Sequence, residues 1–164
     1  MRFESIPELE ASGFHGFSSI ADLRRDKLQH VPREPGVYLV VRAAAEPPEF
    51  LARSSAGRRK GRDPSVAREC LESRWVAGVL VVYIGKAGSA LGKATLRGRL
   101  GQYLRSGLGP SNNHWGGRLI WQLGGAEALL LCWKAVPSPR ATEADLIQEF
   151  VAAHGKKPFA NLVR

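Results

Sequence analysis

The stretch VVYIGKAG, Val81 to Gly88, is the part of this sequence on which the fold depends. It predicts a strand, because its first residues are β-branched and apolar, and it ends on a tyrosine, a glycine and a lysine. Tyr83 could place its hydroxyl above a groove, Gly85 would let the backbone approach a ligand, and Lys86 would meet a negative charge. A tyrosine at a strand end is more often a packing residue, so a functional interpretation needs support from elsewhere in the chain.

Two further apolar runs predict strands that could pair with this one. GVYLVVR predicts a strand from Val37 to Arg42 and repeats the combination of glycine and tyrosine, and ALLLCWKAV (128–136) predicts a third strand. If the first two strands pair, the hydroxyl groups of Tyr38 and Tyr83 could converge on one face of the sheet.

Helix signals separate these runs. Ser19 and Thr95 are predicted N-caps, Asp63-Pro64 predicts an N-cap and a first helical position, and Thr142 predicts the start of a last helix that ends at Gly155. The sequence therefore predicts an α+β fold with a small, three-stranded, mainly antiparallel sheet flanked by helices.

The order of these elements also predicts the domain organisation. Residues 1–35 are expected to form an N-terminal extension packed on a core domain of residues 36–164. A basic insertion at about 43–77, interpreted as a flexible arm, separates the first two core strands, and Arg58, Arg59 and Lys60 lie in it. These cations are expected to follow a phosphate backbone without reading base sequence, and a solvated loop is the alternative interpretation.

The charge of the chain favours a polyanionic partner. The 164 residues carry a formal net charge of +9 and a pI near 10.2, which is typical of nucleic-acid-binding proteins but also of basic proteins whose charge only keeps them in solution. Cys70 and Cys132 lie in apolar surroundings and are interpreted as buried, reduced thiols of a cytoplasmic protein. The sequence predicts neither a signal peptide nor a membrane span.

Several polar residues later in the chain are candidates for a site. Arg99 and Tyr103 are four residues apart in a predicted helix and so share a face, while Glu149 lies beside the apolar stripe of the last helix. Asn161 follows Pro158 in the C-terminal tail, and His114 lies in a glycine-containing loop, where a structural role is at least as common as proton transfer.

Tyr38, the run Tyr83-Ile84-Gly85-Lys86, Arg99, Glu149 and Asn161, in that order, resemble the motif set of the GIY-YIG nuclease superfamily. The resemblance covers residues 36–161, and the interval of twelve from Glu149 to Asn161 is similar to that of the bacterial excision-repair branch. The first motif here reads GVY, and the insertion separates two tyrosine motifs that usually lie close together in the family.

The resemblance implies a role for each matching residue. Glu149 would be the sole carboxylate ligand of one Mg²⁺ (or Mn²⁺) ion, and Arg99 would bind the scissile phosphate. Tyr38 or Tyr83 would orient or deprotonate the attacking water, with Tyr38 the favoured base, and Asn161 would hold the tail or a water at the edge of the site. Contacts to the nucleic acid are expected from Lys86, Tyr103, His114 and Asn161, together with the basic residues Arg58, Arg59 and Lys60.

The function implied by the resemblance is a cytoplasmic, metal-dependent endonuclease of the DNA-repair type, without an organic cofactor. The sequence does not distinguish DNA from RNA, and two other functions remain open. One is a nucleic-acid-binding module that keeps the fold but does not cut, and the other is an interaction domain whose positive charge serves a protein partner.

Overall fold

The computed structural model describes residues 1–88, 94–109 and 115–162. Its centre is an antiparallel sheet with the strand order β1-β4-β2-β3. The strands are β1 (His15–Ser19), β2 (Gly36–Val41), β3 (Val81–Ala87) and β4 (Leu130–Ala135). Helices and loops cover both faces, so the α+β class is confirmed.

The described residues form five α-helices and two short 3-10 helices. They are α1 (Ile6–Ala11), α2 (Ile20–Arg25), α3 (Arg68–Arg74), α4 (Leu96–Ser106) and α5 (Pro139–His154), with 3-10 turns at Arg118–Gln122 and Ala126–Ala128. None of the helices in these described ranges has the length and apolarity needed to cross a lipid bilayer.

The predicted number of strands is wrong, because residues 1–35 supply a fourth. The three predicted strands are β2, β3 and β4, and β1 pairs with the free side of β4. The sequence of β1, HGFSS, has a low strand propensity and an irregular register between His15 and Ser18. Pairing with β4, rather than local preference, therefore makes this segment a strand.

Alternation along β2 divides the apolar side chains between two cores. Val37, Leu39 and Val41 lie in the core on the side of α1 and α5. Tyr38 and Val40 lie in the core on the other face, which includes α2, α4 and the 3-10 helix Arg118–Gln122. All six residues of β2 are buried, as expected of a strand covered on both faces.

The pairing of β2 with β3 places Tyr38 directly opposite Gly85. A Cβ atom on Gly85 would lie 2.5 Å from Cζ of Tyr38 and 2.8 Å from Cε1 of Tyr83, so only a residue without a side chain leaves room for both rings. Gly85 thus serves the packing of two tyrosines, whereas the sequence suggested that it admits a ligand.

Residues 42–80, between β2 and β3, pack on the rest of the protein and do not form a free arm. The buried side chain of Gln122 donates to the carbonyl oxygens of Leu51 (2.9 Å) and Val66 (2.8 Å) and accepts from the backbone N–H of Val66. The backbone N–H of Ser55 donates to Trp121 O, and Phe50 is buried against the core. These bonds hold residues 51–66, which include the basic residues, against the 3-10 helix Arg118–Gln122.

Three local expectations are also corrected. Helix α5 begins at Pro139 with Ser138 as N-cap, and Thr142 lies inside it, where its hydroxyl donates to Ser138 O. Asp63 accepts a hydrogen bond from the backbone of Ser65 in a turn and does not start a helix, since α3 begins at Arg68. Cys70 is exposed, while Cys132 is buried as expected.

The close approach at Gly85 leads to a stability prediction. Substitution Gly85→Ala should lower the free energy of unfolding by about 1–3 kcal/mol, because the new methyl group must displace buried tyrosine rings. Chemical denaturation followed by tryptophan fluorescence measures this change.

Gly98→Ala is the matched control for that substitution. Gly98 is an exposed helical glycine, and the nearest contact of an added Cβ is Thr95 Oγ1 at 3.4 Å. The control should be neutral or stabilising by up to about 1 kcal/mol. Equal effects of the two substitutions would contradict the role assigned to Gly85.

Candidate functional site

A cleft of about 910 Å³ opens beside β3, at the edge of the sheet. Successive side chains of a strand point to opposite faces, so Tyr83 and Lys86 reach the cleft from different sides of this edge strand. Helix α4 contributes Arg99, and α5 contributes Glu143 and Ile147. Parts of the chain that are far apart in sequence therefore meet in one place.

The cleft is strongly cationic. One acidic side chain, Glu143, lines it among the described residues, against six basic ones. The basic residues are Arg59, Arg74, Lys86, Arg99, Arg118 and Lys157. Of these, Lys86 alone forms an ion pair with another described residue, so the cleft keeps a large positive charge that favours an anionic ligand.

Three tyrosines form a packed cluster beneath the cleft. The ring centroid of Tyr83 lies 6.0 Å from that of Tyr38 and 5.8 Å from that of Tyr103, and the Tyr83 and Tyr103 rings are stacked. Tyr83 lines the cleft, although only 7% of its surface is exposed, whereas Tyr38 and Tyr103 are completely buried. The Tyr103 hydroxyl donates to Gly117 O at 3.3 Å. Tyr83 is thus the phenol that a ligand in the cleft can reach.

Burial changes the acidity of these phenols. It raises the pKa of Tyr83 to about 12, and the negative charge of Glu143 acts in the same direction, while a hydrogen bond with Tyr38 and the charge of Arg99 oppose the rise. Burial also raises the pKa of Tyr38 well above its usual value, and the neighbouring tyrosines add to this effect. Both phenols are therefore protonated at neutral pH.

Lys86 and Glu143 form an ion pair in the lining of the cleft. Their side chains are partly exposed, by 34% and 20%. A smaller adjoining cavity of about 410 Å³ reaches the first turn of α4 and shares Tyr83, Lys86, Arg99 and Glu143 with the cleft. These four side chains therefore lie where the cleft and the smaller cavity meet. A terminal guanidinium nitrogen of Arg99 donates a hydrogen bond to the side-chain oxygen of Gln102 at 3.3 Å.

The structure does not bring Glu149 to this centre. Its carboxylate lies 3.1 Å from the amino group of Met1, and its side chain is half exposed. Glu149 is six residues beyond Glu143, about one and two-thirds helical turns, so the two carboxylates leave α5 in different directions. The acidic side chain that the structure brings to the cleft is therefore Glu143, and Glu149 lies elsewhere.

A signal for Glu143 was present in the sequence. It lies four residues before Ile147 and seven before Phe150, on the same stripe of the helix that the apolar residues define. Glu149 is beside this stripe in sequence but not on it. The interval to Asn161 favoured Glu149, whereas the helical periodicity favours Glu143.

Asn161 attaches the C-terminal tail to β3. Its side-chain oxygen accepts from the backbone N–H of Ile84 at 2.9 Å, and its side-chain nitrogen donates to Ile84 O at 2.8 Å. The residue lines the cleft and is mostly buried. Asn161 therefore holds the tail next to Tyr83, which is one of the two roles expected for it. Both ends of its side-chain amide already form hydrogen bonds with Ile84.

Of the three basic residues predicted in the segment 58–60 to contact nucleic acid, only one lines the cleft. Arg59 lines the cleft, whereas Arg58 donates to Gly61 O and Lys60 is exposed outside the cleft. His114 lies outside the described residues. Sequence reasoning missed Arg74, Arg118 and Lys157, since each belongs to a segment that no motif marks and only the tertiary fold unites them.

The donor set limits how a metal ion could bind. In residues 1–88, 94–109 and 115–162 no group of three His, Cys, Asp or Glu side chains is close enough to hold one. Mg²⁺ commonly binds one or two carboxylates and completes its coordination with substrate phosphate oxygens and waters. Glu143 is the one carboxylate in the described lining of the cleft, so an ion here would take its other ligands from phosphate oxygens and waters.

Comparisons with protein-family models, with curated proteins and with solved structures find no match for this chain.

The raised pKa of Tyr83 predicts how stability changes at high pH. A pKa higher in the folded than in the unfolded protein stabilises the fold fully below about pH 10, and this contribution is lost as the pH rises through about 12. The free energy of unfolding should therefore fall between these pH values.

Tyr83→Phe tests this assignment, because phenylalanine has no proton to lose. The alkaline fall in the free energy of unfolding should be shallower in the variant, by up to about 1.4 kcal/mol per pH unit. Urea denaturation at a series of pH values gives both curves. Parallel curves would show that Tyr83 ionises equally easily in the folded and unfolded states.

Proposed function

We propose that this protein is a GIY-YIG-type endonuclease that hydrolyses phosphodiester bonds in DNA, with one Mg²⁺ or Mn²⁺ ion held at Glu143. The observation that carries the proposal is the convergence of Tyr83, Arg99 and Glu143 in one cationic cleft. These residues come from β3, α4 and α5, and they supply a hydroxyl group, a phosphate-binding group and a metal-binding group, respectively.

The order of the motifs and the arrangement of the sheet support the assignment to this type. Strands β2 and β3 carry the two tyrosine motifs and pair antiparallel, so the tyrosines pack together despite the 39 residues that separate the strands, 42–80. In this proposal β2, β3 and β4 are the nuclease core, residues 43–77 are an insertion, and β1 is an addition at the sheet edge.

Arg99 is the group proposed to bind the scissile phosphate. Its guanidinium lines both cavities, has no carboxylate partner among the described residues, and acts on the pKa of Tyr83 through its charge. A planar guanidinium can donate two parallel hydrogen bonds to phosphate oxygens and offset charge that develops on them. Lys86, which balances the charge of Glu143 and lines the same cleft, would contact the same phosphate.

A divalent ion at Glu143 would supply an activated water and neutralise charge on the phosphate. Glu143, which lines the cleft, would hold the ion, and Tyr83 would orient the attacking water through its hydroxyl. Because Tyr83 is protonated at neutral pH, its role is to position the water by a hydrogen bond. Tyr38, which the sequence favoured as the base, is buried and instead orients Tyr83.

One observation favours a second candidate function, that of a nucleic-acid-binding module without nuclease activity. The acid that lines the cleft is paired with Lys86, and the remaining lining cations have no carboxylate partner in the described part of the chain. Such a surface can bind a phosphate backbone by counterion release alone.

Two glutamates on the same helix provide the decisive test. Glu143→Gln should reduce the nicking of supercoiled plasmid in Mg²⁺ or Mn²⁺ by at least about 100-fold, because it removes the carboxylate that holds the ion. Glu149→Gln should keep activity within about twofold of the wild-type rate, because this residue lies on the exposed side of α5.

The two variants carry the same chemical change, so they share any effect of losing one negative charge. Retention of cutting by Glu143→Gln together with its loss in Glu149→Gln would restore the assignment made from the sequence. Absence of metal-dependent cutting in the wild-type protein, together with salt-sensitive DNA binding, would establish the non-cleaving module instead.

A further inference from the structure

The cations of the cleft fall into two groups according to the cavities that they line. Lys86 and Arg99 line both the cleft and the smaller cavity next to α4. Arg59, Arg74, Arg118 and Lys157 line the cleft but not that smaller cavity. This second group has no role in the mechanism described above.

Arg118 has a fixed position and lacks an acidic partner. Its guanidinium lies over the ring of Trp115, 4.3 Å from the ring centroid, and one of its nitrogens donates to Trp115 O at 3.4 Å. Its Nε atom is buried and has no hydrogen-bond partner among the described residues. Stacking on an aromatic ring holds the planar group in place, which reduces the entropy lost when it binds an anion.

Arg74 adds a second positive charge close to the first. Burial lowers the pKa of Arg118, and the charge of Arg74 lowers it further. Neither arginine forms an ion pair within residues 1–88, 94–109 and 115–162. Like charges held together without a carboxylate are unfavourable in the empty protein, and a bound anion would relieve this repulsion.

The positive surface continues beyond these two arginines. A neighbouring cavity of about 360 Å³ is lined by Arg74, Lys156 and Lys157, between α3 and the end of α5. Cations therefore continue from the smaller cavity at Arg99, through the cleft with Arg118 and Arg74, to the cavity of the two lysines. A nucleic-acid strand presents a regular row of phosphates that suits such a path.

We infer that Arg74 and Arg118, with Lys157, form a second phosphate subsite, which binds a phosphate of the same nucleic-acid strand that occupies Arg99. The inference rests on the proposed nucleic-acid-binding role of the cleft and extends it to the substrate, which must offer two phosphates on one strand. The second phosphate is either an internal diester or a terminal monoester.

Equilibrium binding of a single-stranded DNA oligonucleotide, in chelator so that no strand is cut, tests the subsite. Arg118→Gln and Arg74→Gln should each weaken binding about tenfold at low salt, because each removes a charged donor to phosphate. The slope of log affinity against log salt should also fall by about 0.7 for each lost phosphate contact.

Arg68→Gln is the matched control. Arg68 is also on α3, but it is exposed and paired with Glu72 at 2.8 Å, so its loss changes the net charge equally without touching the cleft. Arg118→Lys is a second probe, because it keeps the charge but loses the planar group on Trp115. This variant should bind more weakly than wild type with an unchanged salt slope.

Binding of the same oligonucleotide with and without a terminal phosphate distinguishes an internal diester from a terminal monoester at the subsite. Tighter binding of the phosphorylated strand that disappears in Arg118→Gln indicates a terminal monoester, whereas equal binding of both strands with a loss in the variant indicates an internal diester. Both results support the subsite. If Arg118→Gln and Arg74→Gln bind like Arg68→Gln, the subsite is overturned.

Failure of the nuclease proposal would leave a different result. If the wild-type protein does not cut DNA, but Arg118→Gln weakens DNA binding and Arg68→Gln does not, the nuclease proposal is wrong and the subsite is still supported. Thermal melting of each variant shows whether it folds. Arg74→Gln carries the test if Arg118→Gln does not fold, because no other side chain is bonded to the Arg74 guanidinium in the described residues.

Discussion

The contact between the ring of Tyr38 and the bare Cα of Gly85 is the constraint on which the site depends. It fixes the register of β2 against β3, because a shift by one residue would place a side chain where the ring now lies. With that register, Tyr38 holds Tyr83 from behind, and Tyr103 closes the cluster from α4. The wall of the cleft at Tyr83 is thus built on a packed aromatic base.

Charge, rather than shape alone, distinguishes the cleft. Its one described acid is matched by Lys86, and the other five basic side chains have no ionic partner in the described chain. Keeping these cations together costs free energy in the absence of a ligand, and the fold offsets that cost in its aromatic and apolar packing. This division of roles is typical of functional sites, where local stability is exchanged for binding.

Local sequence predicts the local structure well. The strand around Tyr38, the strand of VVYIGKAG and the caps Ser19 and Thr95 all form as expected, because each depends on neighbouring residues. The interval to Asn161 indicated Glu149, whereas the acid that lines the cleft is Glu143, which the apolar stripe of α5 places on the face toward the core. The packing of residues 42–80 also required a distant partner, the buried amide of Gln122, which no local pattern marks.

The bonds between the tail and β3 affect how the molecule meets other copies of itself. β3 is an edge strand, and edge strands present open N–H and C=O groups that can pair with a neighbouring chain. Here the backbone N–H of Ala160 donates to Val82 O. The Asn161 side chain accepts from the backbone N–H of Ile84 and donates to Ile84 O. Ala160 and Asn161 of the tail thus occupy backbone groups of β3 that a neighbouring strand could otherwise pair with, which protects this side of the sheet against aggregation.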